Sequence, residues 1–158
     1  MYKKPRKIPP DKALLICQTM CAKQEFCVFD IERKLKRWQV EPGEIKNIIP
    51  KLQADKFIDE NRYAAAYVND KFRFSRWGRT KIKFNLKRKK VAEPAILKAF
   101  TNINQEDYLE TLRKLIVLKK PKIKVPDKYS LQRKLVAYAI GRGFEPELVF
   151  KIINENFK

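Results

Sequence analysis

The feature that most constrains this chain is that it resembles itself three times over. Leu35-Lys36-Arg37-Trp38-Gln39-Val40-Glu41-Pro42 with Ile45, Leu86-Lys87-Arg88-Lys89-Lys90-Val91-Ala92-Glu93-Pro94 with Ile96, and Ala139-Ile140-Gly141-Arg142-Gly143-Phe144-Glu145-Pro146 with Val149 follow one grammar. An apolar anchor precedes a second apolar residue by five positions and a third by ten. The units are 51 and then 53 residues apart, with one slipped residue at the prolines. Self-similarity at such a period is the mark of a repeat architecture.

Each Glu-Pro reads as a helix start, because proline needs no donor in the first turn and fixes φ. A helical stripe follows each start: Ile45, Ile48, Ile49 and Leu52; Ile96, Leu97 and Phe100; Val149, Ile152 and Ile153. A second stripe precedes it: Ile31, Leu35 and Trp38; Ile82 and Leu86; Leu131, Leu135, Tyr138 and Ala139. A third opens each unit: Leu14, Cys17 and Cys21; Ala64, Val68 and Phe72; Leu109, Leu112 and Ile116. Pro10-Asp11 opens the first helix, and Asp59 and Asn104 are N-cap candidates for the fourth and seventh. Strand signals are thin: Phe26 to Ile31 and Lys122-Ile123-Lys124-Val125 alternate, without hairpin partners.

The expected fold is therefore all-α: three tandem three-helix, helix-turn-helix-like repeats in an elongated, curved array. Expected boundaries are a basic tail over 1–10 and repeats over 11–57, 58–103 and 104–158. The third contains a basic loop and candidate hinge over 119–128, carrying Pro121 and Pro126. A unit of about 50 residues buries little surface alone, so neighbours are expected to share apolar contacts.

Composition narrows the chemistry. There is no histidine, so the commonest general base and metal ligand is missing. Four glycines, Gly43, Gly78, Gly141 and Gly143, do not make a phosphate-cradling loop. Asp55, Asp59 and Glu60 are the one carboxylate cluster that a magnesium-dependent nuclease would need, but they read as capping and solvation around a helix start. Cys17, Cys21 and Cys27 lack a fourth zinc ligand and read as small buried hydrophobes. No enzyme, cofactor or metal is expected. No apolar run spans a bilayer and the amino end shows no secretory leader, so a soluble cytoplasmic monomer without membrane contact is expected.

The charge is lopsided. Lys and Arg total 37 against 18 acids, a formal net charge of +19. From residue 71 to 90 there are ten basic residues and no acid, interleaved with Phe72, Phe74, Trp77 and Phe84. From 119 to 134 there are seven basic residues against Asp127, and Lys3, Lys4, Arg6, Lys7 and Lys12 add to the amino end. A wet helix face usually mixes signs, since like charges four apart repel by a few tenths of a kcal/mol. A run of one sign points to a polyanionic partner, a phosphate backbone or an acidic protein surface. The candidate binding residues are Arg73, Arg76, Arg79, Lys81, Lys83 and Lys87, then Lys89, Lys90, Lys122 and Lys124. Trp77 and Phe74 either stack on unpaired bases or fill space between helices. Gly78 either admits a close neighbour or marks a helix start.

Phe57-Ile58-Asp59-Glu60-Asn61-Arg62-Tyr63-Ala64, Tyr67-Val68, then Trp77-Gly78 with Ile82, Leu86 and Val91, is similar to the central signature of the bacterial RecX family. Arg142-Gly143-Phe144 before the last helix is similar too, whereas Arg79 follows Gly78 where many members have proline. The resemblance covers most of residues 11 to 157. It implies tandem three-helix repeats and a non-enzymatic regulator that binds the RecA filament on single-stranded DNA, lies along its groove, and usually inhibits strand exchange and ATP hydrolysis. The alternative from the residues alone is a general basic helical nucleic-acid binder, such as a helix-turn-helix regulator acting without RecA. A third is a structural adaptor between proteins, which salt dependence would separate from a phosphate-driven binder.

Overall fold

A computed structural model describes residue 4 and residues 6–156. Of the basic amino-terminal segment, residues 1–3 and 5 lie outside the described residues, as do 157 and 158 of the last repeat. Among the described residues there are nine α-helices and no strand. They are α1 (Pro10–Lys23), α2 (Val28–Arg37), α3 (Pro42–Ala54), α4 (Glu60–Arg73), α5 (Arg79–Arg88), α6 (Glu93–Phe100), α7 (Gln105–Lys119), α8 (Lys128–Gly141) and α9 (Pro146–Asn156). They form three repeats of three helices.

The repeat grammar has a structural cause at the turn between the second and third helices. Val40 donates its N–H to the Leu35 carbonyl at 3.0 Å, Val91 to Leu86 at 3.1 Å and Phe144 to Ala139 at 3.2 Å. One residue earlier, Gln39, Lys90 and Gly143 donate to Lys36, Lys87 and Ile140. All three have positive φ, at 57°, 58° and 96°. This is the Schellman ending, in which a six-residue backbone loop closes over an apolar contact. The five-residue spacing of apolar anchors is thus the contact that seals each second helix.

Helix starts follow local chemistry. The Asp59 side chain accepts from the Arg62 N–H, and Asn104 accepts from Glu106 and Asp107. Proline stands at the front of α1, α3 and α6. In α6 it is Pro94 at the second position, behind Glu93, which is the slipped residue of the second unit. The stripes bury or half-bury their apolar residues except Leu97, which is 53% exposed. In the eight-residue α6, Ala95, Ile96 and Ala99 face inward instead, leaving Leu97 on the outer side. The alternating stretch Phe26 to Ile31 is a connection followed by the first turn of α2. In the other, Lys120–Lys122 form a 3-10 turn that tolerates Pro121 near its start, and 123–127 is irregular.

Two cores result. Repeat 1 packs Ala13, Cys17, Ile31, Leu35, Ile48 and Leu52 into its own cluster. Repeats 2 and 3 share a single cluster running from Tyr63 through Ile82, Tyr108 and Phe144 to Ile153. Cys27 and Phe29 are the repeat 1 side chains that reach into it.

Candidate functional site

The basic stretch from 71 to 90 covers the end of α4, the following turn and all of α5. Arg73 closes α4 and Arg76 sits in the turn at φ 53°, both exposed. Phe74 between them is 81% exposed. Lys90 occupies the left-handed position after α5, also exposed, and Lys122 and Lys124 are exposed around the start of the α7–α8 connection. These five cations project into solvent.

The other five have partners within the molecule, although Lys87 is itself exposed. Lys83 Nζ lies 2.9 Å from Glu93 and Lys87 Nζ 3.8 Å from the same carboxylate. The Lys83 hydrogen bond holds the Glu93 carboxyl below the usual carboxylate range. Lys81 Nζ stands 4.4 Å from the Trp77 ring centre, with Lys71 Nζ at 4.8 Å from that ring. The half-buried Trp77 therefore carries two ammonium groups while packing against the shared core. Lys89 Nζ bonds both Asp30 oxygens, at 3.1 and 3.3 Å, and donates to the Tyr63 hydroxyl at 3.0 Å. That ties repeat 2 to α2 of repeat 1.

Arg79 has the most elaborate setting. Helix α5 starts at Gly78, which offers no capping side chain, and has no acid in its first turn. The third repeat supplies what is missing. Gly78 N–H donates to the Arg142 carbonyl at 2.8 Å, Arg79 N–H to the Tyr108 hydroxyl at 3.0 Å, and Thr80 N–H to the Gly143 carbonyl at 3.0 Å. The Tyr108 hydroxyl in turn donates to Glu145 at 2.6 Å. The Arg79 guanidinium reaches Glu145 at 3.4 Å and Gln105 at 2.8 Å, lying 3.8 Å from the Tyr108 ring centre. A carboxylate at this end complements the helix dipole. Burial, then the bond to Glu145, pushes the Tyr108 hydroxyl far above its ordinary pKa.

Gly78 fulfils both expectations made of it: it marks the start of α5 and admits a close neighbour. A Cβ there would overlap the Gly143 carbonyl, and one on Gly143 would strike the Lys81 Cβ and lie 2.8 Å from the Lys81 nitrogen. Gln39 and Lys90 occupy the equivalent left-handed position without that crowding, so glycine is demanded in the third repeat by its neighbour. Arg142 completes the joint by donating to the Ser75 carbonyl.

The ten-residue set omits a second concentration of cations. Arg33, Lys34, Lys36 and Arg37 stand on α2, and with Lys71 and Lys89 they line a crease of about 980 Å³ between repeats 1 and 2. Four basic residues in five positions were the available signal. Among the described residues no group of histidines, cysteines and carboxylates could hold a metal ion, and no helix is long and apolar enough to cross a membrane. The cysteines are buried and free, and burial pushes the Cys17 and Cys27 thiols up to about 11.

Tandem three-helix repeats joined through their turns place this chain in the all-α repeat class. Residues 59–99 match the model of the second three-helix domain of RecX, and residues 105–153 that of the third. The chain is 29% identical to the regulatory protein RecX of Clostridium acetobutylicum over 132 residues, covering 81% of this chain and 61% of that protein. It is 29% identical to that of Clostridium perfringens strain 13 over 157 residues, covering 94% and 72%. Among solved structures, it superposes on a regulatory protein RecX with a TM-score of 0.84 at 24% identity, covering 92% of this chain and 73% of the other. RecX from Lactobacillus salivarius gives 0.80 at 22%, covering 92% and 95%. The chain belongs to the RecX family.

Proposed function

We propose that this protein is a non-enzymatic regulator that binds the RecA–single-stranded DNA filament and lowers its ATPase and strand-exchange activities. The observation that carries the reading is the acid-free basic stretch from 71 to 90 in a chain whose relatives are named regulatory proteins. Arg73, Arg76, Lys90, Lys122 and Lys124 are exposed cations of this surface, and they are assigned to the filament's phosphates and acidic surfaces. Arg79, Lys81, Lys83, Lys87 and Lys89 shape and support that surface through their internal partners. Three repeats in an elongated array would span neighbouring protomers, each weak contact gaining from the effective concentration set by the first. Occupying the groove would exclude an incoming duplex and oppose cycling between nucleotide states.

The test is ATP hydrolysis by RecA on single-stranded DNA during titration with this protein. A fall well below one molecule per RecA supports capping or disassembly; a fall near saturation supports occupancy along the groove. No effect at moderate salt, with DNA binding intact, overturns the reading in favour of a plain nucleic-acid binder. Charge reversal at Arg73, Arg76 and Lys90 is expected to abolish inhibition with helicity unchanged; undiminished inhibition contradicts the assignment.

A further inference from the structure

Between Asp70 and Glu106 lie 35 residues with eleven cations and a single acid, Glu93. The fold turns that one acid onto the cations. Its carboxylate divides between two lysines one helical turn apart on α5. Oε1 accepts from Lys83 Nζ at 2.9 Å, and Oε2 stands 3.8 Å from Lys87 Nζ. The three side chains are between 36% and 51% exposed, so solutes reach the cluster.

The helix start does not require this contact. Glu41, Glu93 and Glu145 hold the same place before proline in the three repeats. A carboxylate there complements the helix dipole, and Glu41 does so while making no ion pair among the described residues. Glu145 is taken into the joint between repeats 2 and 3 by Tyr108 and Arg79. Glu93, of the three, spans two solvent-facing lysines. It presents them with two oxygens on one atom, as a phosphate does. Exposed ion pairs are weak and screened, so an oxyanion of higher charge displaces the carboxylate.

We propose that Glu93 is an autoinhibitory contact, an internal anion that occupies Lys83 and Lys87 and yields them only to a polyvalent oxyanion. It thereby sets the threshold at which this surface engages a partner. The inference rests on the filament reading for what arrives, and adds a contact that opposes binding. Clustered phosphates and clustered carboxylates share the required chemistry.

The first test repeats the RecA ATPase titration with Glu93→Gln, which keeps the side chain's length in the first turn of α6. The half-inhibitory concentration is expected to fall about fivefold, the upper range for release of one exposed ion pair. Glu147→Gln removes the same charge from an exposed position in the first turn of α9, and should stay within about 1.5-fold because distant charges are screened. In a Lys83→Ala/Lys87→Ala background, Glu93→Gln should change nothing. Inhibition no stronger than wild type would make Glu93 a prop for the lysines. An equal gain in Glu147→Gln or in the lysine-free background would reduce the effect to net charge. Either result overturns the proposal.

The second test needs no RecA. The Glu93 carboxyl is followed by NMR across pH, with sodium tripolyphosphate or tetraglutamate added until the α5 amide shifts reach a plateau. The Lys83 bond holds this carboxyl below the usual carboxylate range, and displacement should bring it to the ordinary value or above. Movement with one probe alone identifies the source, phosphate or carboxylate. A midpoint unmoved by both, or α5 amides that do not respond, overturns the proposal. If the wild-type protein leaves RecA ATPase untouched, the filament reading falls and this second test still decides the role of Glu93.

Discussion

Repeats 2 and 3 are joined by backbone, whereas repeats 1 and 2 are joined by side chains: ion pairs and the apolar contacts of Cys27 and Phe29. At the first boundary the opening amides of α5 are capped by the α8–α9 turn and by Tyr108, and Gly78 and Gly143 meet without room for a methyl group. At the other, Lys89–Asp30 and Arg62–Glu25 span the gap. Among the described residues, no backbone hydrogen bond links the helices of repeat 1 to those of repeat 2. The apolar cores follow the same division, one shared and one separate. A backbone interlock is specific in geometry and indifferent to salt, while half-exposed ion pairs are individually weak and screened. The matched family models fall on the interlocked pair.

The largest expected effect is at the interlock. Gly143→Ala introduces a side chain at φ 96° against Lys81, and overpacking with backbone strain should cost about 3 kcal/mol in urea unfolding. A cost below about 0.5 kcal/mol would break the comparison. Tyr108→Phe leaves the Arg79 amide and Glu145 without their hydroxyl, for an expected loss of about 2 kcal/mol. Asp30→Ala acts on the charged boundary and should cost about 1 kcal/mol, a difference that shrinks in about 1 M salt. A salt-independent loss would mean that Asp30 acts by packing. Lys90→Gly should stabilise slightly, by about 0.5 kcal/mol. Relief of left-handed strain, about 1 kcal/mol, outweighs the added chain entropy of about 0.5. A Gly143→Ala cost several times the Lys90→Gly gain would show that neighbour contact adds to the turn's own preference for glycine in repeat 3.

The helices were legible because their signals are local. The five-residue anchor spacing is a Schellman contact, Asp59 and Asn104 are side-chain caps, and each Glu-Pro stands at a helix start. What escaped depends on residues far apart in sequence. Lys89 meets Asp30 across 59 positions and Arg79 meets Glu145 across 66, so a count of cations cannot distinguish those engaged internally from those facing solvent. Leu97 fits a helical stripe, but the short α6 reaches the core with Ala95, Ile96 and Ala99. The crease itself was illegible because its walls come from α2 and α4, although the cluster Arg33, Lys34, Lys36 and Arg37 was visible.

The most direct test of the two-boundary account uses the protein's own thiols. Cys27 packs across the boundary between repeats 1 and 2, while Cys17 and Cys21 sit in the core of repeat 1. With Cys17 and Cys27 both raised to about 11 by burial, alkylation at pH 8 should be slow in the closed state and should report openings that return each thiol to its ordinary value near 9.0. Alkylation of the native protein, followed by peptide mass spectrometry, should label Cys27 well before Cys17, faster in high salt and in Asp30→Ala. Equal rates at Cys17 and Cys27, unaffected by salt, would show that all three repeats open together and would contradict the account.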